Sequence, residues 1–387
     1  MRIVHVSDTH LGYRQYNLDE RETDLYEAFQ QVLDIAREER ADIIVHTGDL
    51  FHMARPSNTT LLKFKECVRN LNGIKFIAIL GDHDFPKRKD RPPHELFDDI
   101  ILLGSSRSES LPEKYVIDDV AFLGIPAIKG LHAKILPEIL KKCGNIAKNY
   151  KHCVLLLHQG IKEYIPFEGA YEIHESDLPR NMSYIACGHI HSRKLREFGN
   201  GYLGIAGSTE IMNKDEISSW ERDGKGVYIV DLDDGVNVQK VDLIIRPQFV
   251  FELEVENLEN MSNELDGKIS EYESKYGKKP KKPVLHVTVT GKNFDRQAAY
   301  EKLQELVKNK ILHIRPIFRE RDIETEEIKI DISEGINMEK IMKEYFKDEK
   351  IGGLAYEIYD HIISDDIEGA TKLLENFYKE NYGGDEE

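Results

Sequence analysis

The chain has 387 residues, of which 40% are hydrophobic and 32% are charged, and its formal net charge is −17 at pH 7. A chain of this length predicts one large domain together with one or two smaller ones. The acidic balance disfavours a protein that coats nucleic acid without specificity, although a bound metal would add positive charge locally. No apolar run is long enough to span a membrane, and the four cysteines have neither disulfide nor zinc spacing. We therefore expect a soluble cytoplasmic protein.

Strand-like runs alternate with helical patterns over residues 1–247. The predicted elements are the strands Ile3–Val6, Ile43–His46, Lys75–Leu80, Val154–Leu157, Tyr184–Cys187 and Gly226–Leu232, and the helices 20–39 and Thr59–Leu71. This alternation predicts an α/β layered core. Polar clusters follow these strands directly, at the edge where α/β sheets place their ligands.

The rest of the chain has a different pattern. Strand-like runs at Phe249–Val255, Val284–Val289 and Ile311–Phe318, with a helix at Arg296–Lys308, predict a small α+β domain over residues 248–330. Residues 335–380 are helical only. Short helices of this kind bury little of their own apolar faces, so either a partner or the same chain is expected to cover them.

Five short clusters carry the candidate chemistry: Asp8-Thr9-His10, Gly48-Asp49, Gly81-Asp82-His83-Asp84, His158 and Gly188-His189-Ile190-His191. Each cluster alone is a weak signal, because such pairs occur by chance in many chains. Together they form one set at strand ends. Two of the pairs, Asp8 with His10 and His189 with His191, have i, i+2 spacing. In an extended segment this spacing points both side chains the same way, so each pair can reach one centre.

This set of side chains predicts a two-metal site for phosphoester hydrolysis. Such a site holds two cations roughly 3.5–4 Å apart, with a carboxylate that bridges them. Imidazole and carboxylate ligands without thiolate suit Mn, Fe or Zn. The expected ligands are, for the first metal, Asp8, His10, Asp49 and His191, and, for the second, Asp49 again with Asp82, His158 and His189.

Further residues are expected around this site. His83 fits a transition-state stabiliser or general acid that Asp84 would orient, and the alternative is a structural histidine. His52 is either a substrate contact or an ordinary loop residue. Basic residues flank the clusters and are either phosphate contacts or solvated charges. They are Arg14, Arg55, Lys87, Arg88, Lys89 and Arg91.

The order of these motifs resembles that of the calcineurin-like metallophosphoesterases. Longer strings are similar to the archaeal Mre-eleven nucleases, relatives of bacterial SbcD, and the similarity covers essentially the whole chain. These strings are Asp8-Thr9-His10-Leu11-Gly12-Tyr13-Arg14-Gln15-Tyr16, Gly48-Asp49-Leu50-Phe51-His52, Leu157-His158-Gln159-Gly160 and Gly188-His189-Ile190-His191. The resemblance implies a four-layer α/β sandwich and a nuclease that repairs DNA double-strand breaks. It also implies 3′→5′ exonuclease and single-strand endonuclease activity, with His52 and His83 in substrate positioning and catalysis.

The same resemblance implies cofactors and partners. It implies two Mn²⁺ per chain, with Mg²⁺, Fe²⁺ and Zn²⁺ as alternatives, and a nucleoid-associated protein. Residues 1–247 would be the nuclease domain, residues 248–330 would cap the DNA, and residues 335–380 would bind the coiled-coil base of an SMC-like ABC ATPase. A homodimer would form through Thr59–Leu71 and His94–Leu103. The apolar candidates for that contact are Leu61, Leu62, Phe97 and Ile101.

One position departs from the family pattern, which has Asn where this chain has Asp82. A third carboxylate lowers the positive charge of the loaded site, so we expect slower turnover than in an Asp82→Asn variant. Two alternative functions stay open. One is a phosphodiesterase of the same fold that acts on a small molecule. The other is a DNA-end tether whose nuclease activity is weakened by Asp82.

Overall fold

The structure is a computed structural model that describes residues 1–86, 91–104, 112–165, 167, 169–277, 280–320, 338–363 and 367–382. It divides into two compact units, Met1–Arg319 and Glu320–Glu387. The predicted phosphate contacts Lys87, Arg88 and Lys89 lie outside the described residues.

The strands and helices follow one another in an α/β order over most of the first unit. In chain order the strands are β1 (Arg2–Val6), β2 (Ile43–Thr47), β3 (Lys75–Ile79), β4 (Ile100–Leu102), β5 (Glu113–Ile117), β6 (Val120–Ile125), β7 (His152–His158), β8 (Tyr184–Gly188), β9 (Lys194–Phe198), β10 (Gly201–Ile205), β11 (Gly226–Leu232), β12 (Val236–Asp242), β13 (Gln248–Glu254), β14 (Val284–Gly291) and β15 (His313–Glu320). The helices are α1 (Asp19–Glu38), α2 (Asn58–Val68), α3 (Leu136–Ala147), α4 (Ile217–Asp223), α5 (Met261–Tyr276), α6 (Arg296–Leu306), α7 (Met338–Phe346), α8 (Glu349–Ile363) and α9 (Ile367–Tyr382).

Two six-stranded sheets form the centre of the first unit, in the orders β12-β11-β1-β2-β3-β4 and β5-β6-β7-β8-β10-β9. Alternate side chains of each strand enter different cores, because successive Cβ atoms point to opposite faces. Ile3 of β1 packs in the core between the sheets with Phe122 of β6, whereas Val4 packs with Phe29 of α1. On the other sheet, Leu155 of β7 packs with α3. Helices therefore cover both outer faces, and the expected four-layer sandwich is confirmed.

A third sheet, β13-β14-β15, belongs to the same compact unit. It covers the region predicted as a small α+β domain. A buried ion network joins it to α1: Arg246 Nε lies 2.6 Å from Asp24 Oδ2, and Arg21 Nη1 contacts the same carboxylate oxygen at 2.7 Å. Such a network is strongly destabilised when one partner is removed, because the remaining charge is buried without compensation. Its function as a cap over DNA stays a prediction.

The second unit contains α7, α8 and α9, which agrees with the helical pattern predicted there. Gly352 lets α8 approach α7 closely, since a Cβ at this position would collide with the backbone of Lys343. Several large apolar side chains of the unit are exposed, among them Ile362 and Ile363. No helix in the described parts of the chain combines the length and apolarity needed to cross a bilayer.

The segment His94–Leu103, expected to supply a helix to a dimer contact, contains instead a short 3-10 turn at Pro93–Leu96 and the strand β4. Phe97 is buried beside Phe64, with ring centroids 4.9 Å apart, and Ile101 pairs with Ile77 in the sheet. Both side chains pack within this chain, Phe97 buried and Ile101 half-buried, and their role in a dimer stays a prediction. Leu62, 61% exposed on α2, remains available.

Candidate metal centre

The candidate site lies where strands of the two central sheets end. Asp8 follows β1, Asp49 follows β2 and Asp82 follows β3, and these three strands are parallel neighbours. In the other sheet, His158 ends β7 and His189 follows β8, which is again a parallel pair. Parallel strands end at a common edge, and this topology is what collects ligands from distant parts of the sequence.

Four of the seven predicted ligands have left-handed backbone angles. The φ angles are 49° at Asp8, 44° at His10, 55° at Asp49 and 75° at His189. The extended geometry expected for the two i, i+2 pairs is therefore wrong, although both pairs do converge. Asp and His are among the residue types that enter this region most often, and such strain collects at functional sites.

Two glycines of the motifs allow the ligands to approach one another. Gly48 has a φ of 94°, and a Cβ there would overlap the ring of His158. A Cβ at Gly81 would overlap the Asp49 carboxylate. Glycine is required before Asp49 and before Asp82 because the chain passes directly behind the neighbouring ligand.

The first donor group consists of Asp8, His10 and His191, whose ligand atoms lie within 4.8 Å of one another. His10 Nε2 lies 3.3 Å from His191 Nε2, and His191 Nε2 lies 3.8 Å from Asp8 Oδ1. This is the set that the sequence predicted for the first metal, apart from Asp49.

The second donor group consists of Asp82, His158 and His189. His189 Nδ1 lies 3.1 Å from Asp82 Oδ2. Asp49 Oδ2 lies between the two groups, 3.6 Å from His158 Nε2 and 3.8 Å from His10 Nε2. A carboxylate in this position can bridge two cations, as the sequence predicted for Asp49.

Hydrogen bonds behind the rings set their orientation. His158 Nδ1 donates to the carbonyl of Thr47 at 2.7 Å, and His191 Nδ1 donates to Glu216 Oε1 at 2.7 Å. Each bond leaves the Nε2 lone pair facing the site, an arrangement that carboxylates and carbonyls provide for metal-bound histidines. Glu216 is itself fixed by Lys225 Nζ at 2.6 Å and Ser208 Oγ at 3.1 Å. Sequence reasoning missed Glu216 and Lys225, because neither belongs to a motif.

The donor atoms fit divalent cations. Within the described part of the chain, His158 Nε2 is buried, has no hydrogen-bond partner and faces carboxylate oxygens. Burial lowers the pKa of His158 to about 4 and that of His10 well below its usual value, so both rings are neutral near pH 7, which is the form that binds metals. Burial also raises the pKa of Asp8 and of Asp49. Cations at this site would offset the cost of burying these carboxylates.

Three aromatic rings, those of Tyr13, His52 and His83, stack beside the donor groups. His83 stacks on His52 with ring centroids 5.1 Å apart, and Tyr13 stacks on the other side of His52 at 4.0 Å. His83 Nδ1 contacts the His52 carbonyl at 2.8 Å, and the His83 ring contacts His10 edge to face. The rings of His52 and His83 therefore stand at the rim of the site, as expected.

Asp84 occupies a different place from the one expected. Its buried carboxylate accepts hydrogen bonds from the backbone N–H groups of Leu50, Phe51 and Gly81 at 2.9–3.3 Å. Burial raises its pKa to about 6. The carbonyl of His52, rather than Asp84, contacts the ring of His83, so Asp84 shapes the loops after β2 and β3.

The described arginines of the predicted set have different surroundings. Arg55 lines a cavity of about 670 Å³ together with His52, Asp82 and His83. Arg14 Nη2 pairs with Asp19 at 2.7 Å, and the 88% exposed side chain of Arg91 pairs with Glu95 at 3.4 Å. Arg55 is thus the predicted phosphate contact that the structure brings to the candidate centre.

Comparison with known proteins identifies the class of protein to which the chain belongs. The family described as calcineurin-like phosphoesterase matches residues 1–193, the part of the chain that carries both donor groups. The fold and the site therefore define a phosphoesterase of the calcineurin-like class, as the motif order predicted.

Relatives across the whole chain give the family within this class. The DNA double-strand break repair protein Mre11 of Sulfurisphaera tokodaii is 35% identical, over 89% of this chain and 87% of the relative. The proteins of the same description from Saccharolobus solfataricus and Thermoplasma acidophilum are 32% and 34% identical, each over at least 95% of both chains. The chain belongs to the archaeal Mre11 family of DNA double-strand break repair proteins. The resemblance inferred from the motifs is confirmed.

Proposed function

We propose that the chain is a Mn²⁺-dependent, two-metal DNA nuclease with 3′→5′ exonuclease and single-strand endonuclease activity. The single observation that carries this proposal is the position of Asp49 Oδ2 between the two donor groups, 3.6 Å from His158 Nε2 and 3.8 Å from His10 Nε2. Asp8, His10 and His191 would hold one cation, and Asp82, His158 and His189 the other. When bound, two such cations supply a hydroxide nucleophile and stabilise charge on the phosphoryl oxygens.

The side chains of the protein would orient the diester and move one proton. The His83 ring is exposed, and its Nδ1 is engaged by the His52 carbonyl at 2.8 Å, so Nε2 is the nitrogen free to face a substrate. We assign to His83, with both ring nitrogens protonated, the transfer of its Nε2 proton to the leaving oxygen, after which the neutral ring keeps its Nδ1 proton on the His52 carbonyl. Tyr13 and His52 form a stacked aromatic surface beside it, which suits the sequence-tolerant stacking of a nucleobase. Arg55 would contact the backbone phosphate.

A nuclease assay with single-stranded oligonucleotide tests this function. We expect cleavage with Mn²⁺, weaker cleavage with Mg²⁺, and none with chelator. His83→Ala should lower the rate by about 10²–10⁴-fold because it removes a general acid. It should leave Mn²⁺ affinity largely unchanged, since His83 is assigned no ligand role.

The readouts separate the alternatives. Hydrolysis of bis-p-nitrophenyl phosphate without any cleavage of DNA would instead support a small-molecule phosphodiesterase. Normal DNA binding without cleavage at saturating Mn²⁺ would support a tether. An undiminished rate in His83→Ala would remove the assignment of His83 as the acid.

Partners are proposed from the exposed apolar surfaces. The helices α7–α9 would bind the coiled-coil base of an SMC-like ABC ATPase, because they carry exposed apolar side chains such as Ile362 (54%) and Tyr378 (64%). The homodimer contact is proposed around Leu62 and the half-buried Leu61 of α2. Residues 248–330, which include the sheet β13-β14-β15, are proposed to cap the DNA.

A further inference from the structure

Asp82, the third carboxylate of the candidate centre, is paired with a lysine from the other central sheet. Lys129 Nζ lies 2.6 Å from Asp82 Oδ2. Lys129 stands just beyond β6, at the start of the 3-10 turn Gly130–Ile135, whereas Asp82 stands just beyond β3. The two strand ends meet at the edge of the sandwich that holds the candidate centre. The pair therefore joins the two sheets at the site itself.

The environment of the pair differs from that of a solvated surface ion pair. The Asp82 side chain is 22% exposed and also contacts His189 Nδ1 at 3.1 Å, while the Lys129 side chain is 47% exposed. An ammonium on a mostly buried carboxylate is screened less than a pair in open solvent. Its charge acts on the same small volume as the donor groups.

The Lys129 ammonium changes the net charge of the candidate centre. The three carboxylates Asp8, Asp49 and Asp82 together with the Lys129 ammonium carry two net negative charges. A site with an amide at position 82 and no lysine would carry the same net charge. The loaded site would therefore keep the net positive charge that attracts a phosphodiester. This removes the reason for expecting slow turnover from Asp82 alone.

We propose that Lys129 is a charge-compensating residue of the metal centre, which offsets the third carboxylate and keeps the site attractive to the phosphodiester. The proposal deepens the two-metal function and rests on it. Lys129 acts through Asp82, whose carboxylate holds the ammonium at the site, so it is a positioning residue. Its predicted signature is a split between binding and turnover: removing Lys129 should strengthen metal binding, because a cation is lost, and weaken cleavage for the same reason.

The test compares Lys129→Met in two backgrounds, the parent and Asp82→Asn, by isothermal titration with Mn²⁺ and by cleavage of a single-stranded oligonucleotide. In the parent, Lys129→Met should lower the Kd for Mn²⁺ roughly three- to tenfold and slow cleavage by a similar factor, as expected for one partly screened charge. In the Asp82→Asn background, the same substitution should change both quantities less than about twofold, because no carboxylate at position 82 then holds the half-exposed ammonium at the site. Lys134→Met, at an exposed lysine of the same segment, is the matched control.

The outcomes are distinct. An unchanged Kd for Mn²⁺ in Lys129→Met, or equal changes in both backgrounds, would overturn the proposal, as would an unchanged cleavage rate in an active parent. Weaker metal binding with a lower melting temperature would assign Lys129 a purely structural role and would also overturn it. If no variant cleaves DNA, the proposed nuclease function fails, and the titrations alone decide on Lys129.

Discussion

At the scale of single residues, His191 is oriented by charges that lie behind it. Burial works against its protonation, but the Glu216 carboxylate raises the pKa of His191 above its usual value in the absence of metal. The buried Lys225 and the ring of His191 hold the pKa of Glu216 far below its usual range. The chain Lys225–Glu216–His191 therefore keeps one imidazole nitrogen directed at the first donor group.

A Glu216→Gln variant tests this orientation. The amide keeps the shape of the side chain but removes the charge that holds the Nδ1 proton of His191. Mn²⁺ affinity should fall by about 10–100-fold, the usual effect of losing a partner behind a metal-bound histidine. Isothermal titration measures it, with Asp215→Asn at the exposed neighbouring residue as the control. An affinity within twofold of the parent would show that His191 needs no support from Glu216.

Residues that support a candidate ligand from behind, such as Glu216, are harder to predict from the sequence than the candidate ligands themselves. The seven candidate ligands could be predicted to lie together because they occur in short local motifs with distinctive residue types. Glu216, Lys225 and Lys129 could not, because they are single members of a chain with 70 acidic and 53 basic residues. Only the meeting of strand ends from distant parts of the sequence distinguishes them from surface charges.

At the scale of elements, the helices of the second unit carry apolar groups that the described part of that unit leaves exposed. On α8, Ile362 is 54% exposed and Ile363 is 61% exposed, and both lie near the 37% exposed Tyr359 in the sequence. Apolar anchors in such a row contribute most of the binding energy when a partner helix covers them.

The substitution Ile362→Glu tests whether this row binds the ATPase. It should weaken binding to the head and coiled-coil base of the ABC ATPase from the same organism by at least about tenfold. Leu131→Glu, at a 79% exposed leucine of the first unit, should leave the affinity unchanged. Binding can be measured by titration calorimetry after circular dichroism has shown that each variant is folded. Equal affinities for the two variants would exclude this part of α8 from the interface.

Element prediction succeeded where hydrophobic patterning was strong. The predicted strand Gly226–Leu232 has its observed bounds, and the helix predicted over residues 20–39 is α1. Strands such as β5 and β9 were not predicted, because their half-buried pattern is interrupted by charged side chains. A dimer contact is hard to predict for a related reason, because an apolar residue on a core face and one on a contact face look alike in sequence.

At the scale of the whole first unit, the free energy of unfolding should depend on pH. His286 lies between β13 and Tyr16, and its Nε2 contacts Gln248 Oε1 at 2.9 Å. Burial, together with the nearby Arg315 and Lys214, lowers the pKa of His286 to about 4. Burial likewise lowers the pKa of His5, in the core between the sheets, to about 3. Both are neutral in the folded chain at pH values where an unfolded histidine is already protonated.

Because the unfolded chain binds more protons below pH 6.5, the free energy of unfolding should fall as pH drops from about 6.5 towards 4. His286 alone should account for about 2 kcal/mol between pH 7.5 and pH 5. Urea unfolding of the metal-free protein at both pH values measures this loss, and His286→Gln should reduce it. The control is His132→Gln, at an exposed histidine. An equal loss of stability in both variants would contradict this origin of the acid sensitivity.

The left-handed backbone at Asp8, His10, Asp49 and His189 has a consequence for how function is measured in this protein. The Asp and His side chains already place a Cβ in this conformation, which costs about 1–2 kcal/mol per residue. Alanine would remove the donor atom and keep that cost, whereas glycine would remove the donor atom and relieve the cost as well. Stability measured on alanine and glycine variants of the same position would therefore separate the contribution of each donor from the cost of the turn that presents it.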